Sequence, residues 1–321
     1  MMLLRRRTLL AGGVAATATF AIRPARAEVT LRAGDQRGNN RAVMEAAGML
    51  KDVPYRIAWS EFVAAAPLVE ALNAGAIDAG VVGDAPFTFG FASGVPMRAI
   101  AARRSTQQGT AIVVRGDSPA HKFDDLKGKK VATGRGSIGH FLILASLRRA
   151  GLPDDAVKIV FLQPADAKAA LASGSIDAWS TWEPYTSQVE VVDGGRQVTN
   201  GQGLTPGQGF QIASTDAIAA KREQLADFIT RLTAARIWAN AHRDEYAAIW
   251  AKLMGFPVEV PRHWFARTTE SVVPTDARVI ADEQKVIDLY ASAGMLQKPF
   301  DAASGFDTSF NAAVEKGSAK S

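Results

Sequence analysis

The stretch EALNAGAIDAGVVGDAP at residues 70–86 returns as AALASGSIDAWSTWEP at residues 169–184. Leu72, Gly75, Ile77, Asp78 and Ala79 match Leu171, Gly174, Ile176, Asp177 and Ala178, all at an offset of 99. In each copy a helical pattern runs into a glycine suited to a helix C-terminus, and an Ile-Asp-Ala strand follows. Asp84 then falls opposite Glu183. Two lobes built on one plan account for this repeat better than one enlarged sheet does. Facing lobes leave a cleft, which is the usual place for a ligand.

Around the repeat, strand-like and helix-like segments alternate. Strands are expected at 29–33, 55–59, 79–82, 129–133 and 158–162, and helices at 40–50, 66–74 and 86–93. This order implies an α/β fold with mostly parallel sheets. The last third reads as helical scaffold over 219–241, 243–252 and 275–294, with Asp276 placed to cap the last of these.

Residues 1–27 are expected to lie outside the fold. Arg5, Arg6 and Arg7 precede a mild apolar run, and Ala25-Arg26-Ala27 supplies small residues for cleavage. This pattern is that of a secretory signal, with Arg6-Arg7-Thr8-Leu9-Leu10 resembling the twin-arginine type. The chain carries 37 Lys and Arg against 32 Asp and Glu, a formal charge of +5. Five of the arginines fall in residues 1–27 and none of the acids do, so the remainder is neutral. Neutrality gives no reason to invoke nucleic acid or an anionic membrane, and any anion must be held by local donors. Cysteine is absent, which removes disulfides, thiolate metal sites, cysteine nucleophiles and a lipid-anchoring cysteine. His121, His242 and His263 have no metal-ligand spacing.

The glycine-rich turn KKVATGRGSIGHFLIL, from residue 129, lies between a strand and a helix. Ser137 is a good N-cap, and the helix behind it presents free N–H groups and the positive dipole end to the turn. That arrangement suits an anion. Gly134, Gly136 and Gly139 also fit the dinucleotide pattern G-x-G-x-x-G, which requires an acid at the end of the next strand. That strand ends in Gln163-Pro164, while Asp154 and Asp155 stand in the loop before it. A nucleophile elbow fails as well, because Arg135 occupies its first glycine position.

The order of these motifs resembles a known family. Gly83-Asp84-Ala85-Pro86 follows the first Ile-Asp-Ala strand. Phe123 to Val131, Ser137-Ile-Gly-His140, Leu162-Gln-Pro164-Ala-Asp166 and Asp177-Ala-Trp179-Ser-Thr-Trp182-Glu-Pro184-Tyr185 come next. The chain is similar over about residues 29–300 to the aliphatic-sulfonate and taurine branch of periplasmic solute-binding proteins that feed ABC importers. The resemblance implies a two-lobed, type II periplasmic binding protein fold with no catalysis and no cofactor. The lobes would comprise 28–113 with 213–321, and 114–212, with crossings near 112–115 and 210–214. It further implies a soluble periplasmic monomer without a lipid anchor, whose partners are a small sulfonate, the transporter permease and its ATPase.

By position, Ser137 and His140 would contact the sulfonate, aided by the Gly139 and His140 amides. Asp84, Trp182 and Glu183 would line the cleft. Gln36 falls where the family has Gly-Tyr-Gln-Lys after the first strand. Here Asp35 replaces the aromatic and Arg37 is the basic residue, a departure bearing on the first-loop contacts. The family commonly has Asp where Glu183 stands. Phe87, Phe89, Trp179, Tyr185 and Phe210 join Trp182 as candidate walls for the organic tail, and Arg135 rivals Arg37 as the cation. Two alternatives stay open from the residues: a relative that binds nitrate, a sulfate ester or a thiamine precursor, and an exported nucleotide-dependent oxidoreductase.

Overall fold

A computed structural model describes residues 29–319; the expected signal segment lies outside the described residues. The chain begins with β1 (Thr30–Gln36), α1 (Asn40–Ala46), β2 (Arg56–Phe62), α2 (Ala65–Asn73), β3 (Ala79–Gly83), α3 (Asp84–Ala92) and β4 (Met97–Ser105). It continues with β5 (Ala111–Val114), β6 (Lys130–Thr133), α4 (Ile138–Arg149), β7 (Lys158–Phe161), α5 (Pro164–Ser173), β8 (Ala178–Thr181), α6 (Tyr185–Val191) and β9 (Arg196–Asn200). Last come β10 (Gln208–Ser214), α7 (Thr215–Ala220), α8 (Arg222–Ala241), α9 (Arg243–Met254), α10 (Glu259–Arg267), β11 (Glu270–Val273), α11 (Ala277–Ser292) and α12 (Asn311–Ser318).

These strands form two sheets. The first has the order β11-β4-β10-β3-β1-β2, the second β7-β6-β8-β5-β9. In each, the strands on the repeat's side pair in parallel and the return strands pair antiparallel. The chain passes from the first sheet to the second at 106–110 and returns at 201–207. Both crossings lie several residues before the expected positions, because β5 and β10 belong wholly to the sheets they enter. The two segments are stitched together: the Gly201 N–H donates to the Thr110 carbonyl at 2.8 Å, and the Ser105 N–H to the Gly207 carbonyl at 2.7 Å.

The repeat has a structural cause. Asp78 is buried and accepts from the Arg32 N–H at 2.7 Å, while Asp177 accepts from the Lys130 N–H at 2.8 Å. In each lobe the aspartate entering a strand bonds the backbone of the neighbouring strand. Asp78 is further held by Lys221 at 2.6 Å and Arg32 at 2.5 Å, which compensates its burial. Gly75 and Gly174 both take positive φ, 67° and 74°, at the ends of the helices before these strands, as the repeat predicts.

Each sheet is covered on both faces. Leu31, Met44, Phe228 and Trp250 pack on one face of the first sheet. On its other face Leu68, Phe87, Phe210, Ile287 and Tyr290 are joined by Phe141 and Leu144 of α4, which belong to the second lobe. The two lobes therefore share an apolar seam between α3, α4 and α11. The predicted helix at 219–241 is broken at Lys221 into α7 and α8. Asp276 caps α11 as expected, accepting from the Val279 N–H at 2.8 Å.

Candidate functional site

Four helices start at the C-terminal ends of the inner parallel strands: α1 and α3 in the first lobe, α4 and α6 in the second. Such ends are where open α/β sheets bind ligands. At α1 the Asp35 carboxylate accepts from the Asn40 and Arg41 N–H groups, both at 3.0 Å. At α3 Asp84 accepts from the Ala85 N–H at 2.7 Å. At α6 Glu183 accepts from the Ser187 N–H at 3.1 Å. Three of the four starts thus carry their own carboxyl group. The fourth, α4, is capped by a neutral hydroxyl.

At α4 the Ser137 Oγ accepts from the His140 N–H at 3.2 Å and donates to the Gly134 carbonyl at 2.7 Å. The His140 amide expected to meet an anion is therefore occupied. The N–H groups of Ile138 and Gly139 have no partner among the described residues. Gly139 must be glycine: a Cβ there would lie 2.5 Å from the Ser180 carbonyl oxygen and 2.6 Å from Thr133 Oγ1. The His140 side chain is buried. Its Nδ1 accepts from the Gly136 N–H at 3.3 Å, so the ring proton sits on Nε2, which finds no partner among the described residues. Burial, with a smaller contribution from Arg135, lowers its pKa to about 4, and the ring is neutral near pH 7.

The remaining candidates divide. Trp182 is half-buried beside the turn, its Cη2 3.9 Å from where a Cβ on Gly134 would stand, and edge-on to Tyr185 at 6.2 Å. Phe89 reaches from the first lobe to Gly136, whose Cβ would lie 3.0 Å from its Cδ2. Gln36 closes β1 and donates to the Val81 carbonyl at 3.1 Å. Arg37 is exposed, with no hydrogen bond or ion pair among the described residues. Arg135 is also exposed, its guanidinium 3.8 Å above the Phe161 ring.

Phe87, Phe210 and Trp179, expected as tail walls, are instead core residues at 0%, 0% and 1% exposure. Asp84 is fully buried beneath the cleft and not on its surface. Its Oδ2 has no partner among the described residues, and burial pushes its pKa up to about 7. Glu283 on α11, which sequence reasoning missed, lies beside it and is raised well above the usual carboxylate range by burial and by Asp84. Glu183 is committed to Arg267 of α10, with contacts of 2.5 and 2.9 Å, next to the first crossing. Arg267 also reaches Glu190 and the Ser187 hydroxyl, joining the lobes. An open surface depression lies between α4, α11 and Leu204, and none of the expected site residues lines it.

The sequence profile of the NMT1-like family matches residues 39–255. An Escherichia coli (strain K12) protein named for the binding of aliphatic sulfonates is 31% identical over 297 residues, covering 91% of this chain and 93% of its own. The alkanesulfonate-binding protein SsuA from Xanthomonas axonopodis pv. citri, solved bound to MOPS, superposes with a TM-score of 0.82 at 31% identity, over 88% of this chain and 99% of that one. The periplasmic aliphatic sulphonate binding protein SsuA from Escherichia coli gives 0.80 at 30% identity, over 87% and 92%. These relatives are named as binding proteins, and they share the two-lobed periplasmic binding protein fold that the resemblance implies. The chain belongs to the NMT1-like family and stands among its aliphatic sulfonate-binding members.

Proposed function

We propose that this chain is the solute-binding component of an ABC importer and captures a small organosulfonate in the periplasm. The observation that carries the reading is the start of α4, the one inner helix start without its own carboxylate, with two unpartnered N–H groups beside Trp182. A sulfonate stays ionised at every relevant pH and offers three acceptor oxygens, so oriented N–H dipoles hold it without a full counter-charge. Trp182 and Phe89 supply apolar surface for the organic part. The protein acts by binding alone, as a soluble monomer without a lipid anchor, and delivers its ligand to the permease and its ATPase. No described helix is long and apolar enough to cross a membrane.

Calorimetry with a panel of alkanesulfonates, taurine, nitrate, sulfate esters and thiamine precursors tests the ligand class. Tight binding confined to a non-sulfonate, or a nucleotide retained by the purified protein, would overturn the reading. Ser137→Ala removes the cap that fixes the α4 start, and sulfonate affinity should fall by about 1–3 kcal/mol. Equal affinity for every sulfonate would remove the head group from α4.

Arg37, exposed at the end of β1 and without an ion pair among the described residues, is our candidate for the cation that meets the sulfonate. Arg37→Met should weaken sulfonate binding at least about tenfold, close to 1.4 kcal/mol. Arg135→Met should do less, because that guanidinium is already stacked on Phe161. The reverse order in the same titrations would move the charge contact to the second lobe.

A further inference from the structure

One face of α11 touches both lobes. Glu283 accepts from the Thr88 hydroxyl of α3 at 2.5 Å and from Gln208 Nε2 at 3.2 Å. Seven residues on, two turns along the same face, the Tyr290 hydroxyl donates to the Ser137 carbonyl at 3.1 Å. Tyr290 belongs to the first lobe and Ser137 to the second. The tyrosine is held by rings on all sides, with Phe89 at 4.8 Å, Phe141 at 5.8 Å and His140 at 6.2 Å.

The Ser137 carbonyl and the Ile138 N–H are the two ends of one planar, conjugated peptide unit. A donor on the oxygen draws electron density toward it and makes the N–H at the other end a stronger donor. That N–H is one of the two unpartnered groups at the start of α4. Beside it, His140, 3% exposed, keeps an Nε2–H that is not spent on any group among the described residues and so is free to donate.

We infer that Tyr290 is a positioning residue for the anion site: its hydroxyl orients and polarises the Ser137–Ile138 peptide, so that a first-lobe side chain strengthens a second-lobe donor. The inference rests on the sulfonate-binding reading. The coupling is reciprocal. An anion on the Ile138 N–H makes the Ser137 oxygen a better acceptor and tightens a bond that runs from one lobe to the other. Binding and closure are thereby linked through a single peptide. Burial raises the Tyr290 pKa well above its ordinary value, so the hydroxyl keeps its proton.

Tyr290→Phe preserves the ring packing and removes the donor. In the ligand-free protein the ¹⁵N and ¹H resonances of Ile138 should move upfield. Ethanesulfonate should bind about three- to tenfold more weakly, the range expected for one lost hydrogen bond. 3-Fluorotyrosine at position 290, a stronger donor, should move both readouts the other way, and it stands in if the phenylalanine variant does not fold. An Ile138 resonance indifferent to both changes overturns the inference, as does unchanged affinity in a variant that folds. A parent protein that ignores ethanesulfonate, while the Ile138 resonance still answers to both changes, overturns the sulfonate reading and supports the peptide polarisation.

Discussion

Arg267→Met is expected to lower the folding free energy by about 3–5 kcal/mol, the cost of removing one partner from a buried ion pair. Arg267 and Glu183 have side chains only 16% and 5% exposed, so water cannot replace the lost partner. The Glu183 carboxyl is already raised above its ordinary value, chiefly by burial, with Arg267 as the largest opposing influence. Without the guanidinium it would be driven toward the neutral acid. Adding Glu183→Gln to the Arg267→Met chain should therefore recover part of the loss, because the more deeply buried of the two carboxyl partners is no longer an unpaired charge, while Glu190 remains. Urea unfolding of the parent, both single variants and the double variant measures the coupling. A loss below about 1 kcal/mol from Arg267→Met would mark the pair as solvent-screened.

Asp84→Asn should change stability by an amount that depends on pH. The Asp84 carboxyl is pushed up to about 7, first by burial, with Arg103 and its backbone contacts opposing. The folded protein therefore keeps a proton that the unfolded chain releases above about pH 4. The stability tied to this proton is complete below about pH 4 and is lost as the pH rises through about 7. The amide never ionises. The stability of Asp84→Asn relative to the parent should rise by about 3 kcal/mol between pH 5 and pH 8, a shift of order two units at 1.36 kcal/mol each. His140, lowered to about 4, works in the opposite direction, losing its contribution as pH falls from about 6.5, but it is common to both chains and cancels. Equal stability differences at pH 5 and pH 8 would show that Asp84 is already ionised in the fold.

The sequence carried the parts of the molecule that depend on local pattern. The repeat announced two lobes, Ser137 and Asp276 announced the starts of α4 and α11, and Gly75 and Gly174 announced the ends before the Ile-Asp-Ala strands. The crossings were displaced because the apolar runs at 111–114 and 208–214 look alike whether a strand joins lobes or lies inside one. The polar, glycine-rich TQQGT at 106–110 and GQGLTPG at 201–207 are the turn-like stretches that would have located them. Of the six aromatic candidates for the cleft, Phe87, Trp179 and Phe210 lie in the core. Phe87 and Phe210 meet at 4.9 Å with tilted rings in the core, and nothing in residue type separates a wall from a core ring. Arg267 with Glu183, and Glu283 with Asp84, are partners 84 and 199 residues apart, and no spacing rule brings them together. The substitution of Asp35 for the family's aromatic, legible as a departure, gained its meaning only when its carboxylate was found on the start of α1.

Gly136 has a mechanical consequence. It takes φ of 65° where the chain turns toward α4, and it stands against the Phe89 ring with no side chain between them. Dispersion contacts forfeit roughly a quarter to a half of their well depth when a gap opens by 0.5–1 Å. A single methyl group at 136 would act as a shim, holding Phe89 off the turn and pressing it toward Tyr290, and it would strain the backbone at that φ as well. The approach of Phe89 to the turn is thus set by an atom the sequence leaves out, and any larger residue at 136 would also have to hold the positive φ that glycine adopts freely, so glycine fixes both the bend of the chain and the distance between the lobes there.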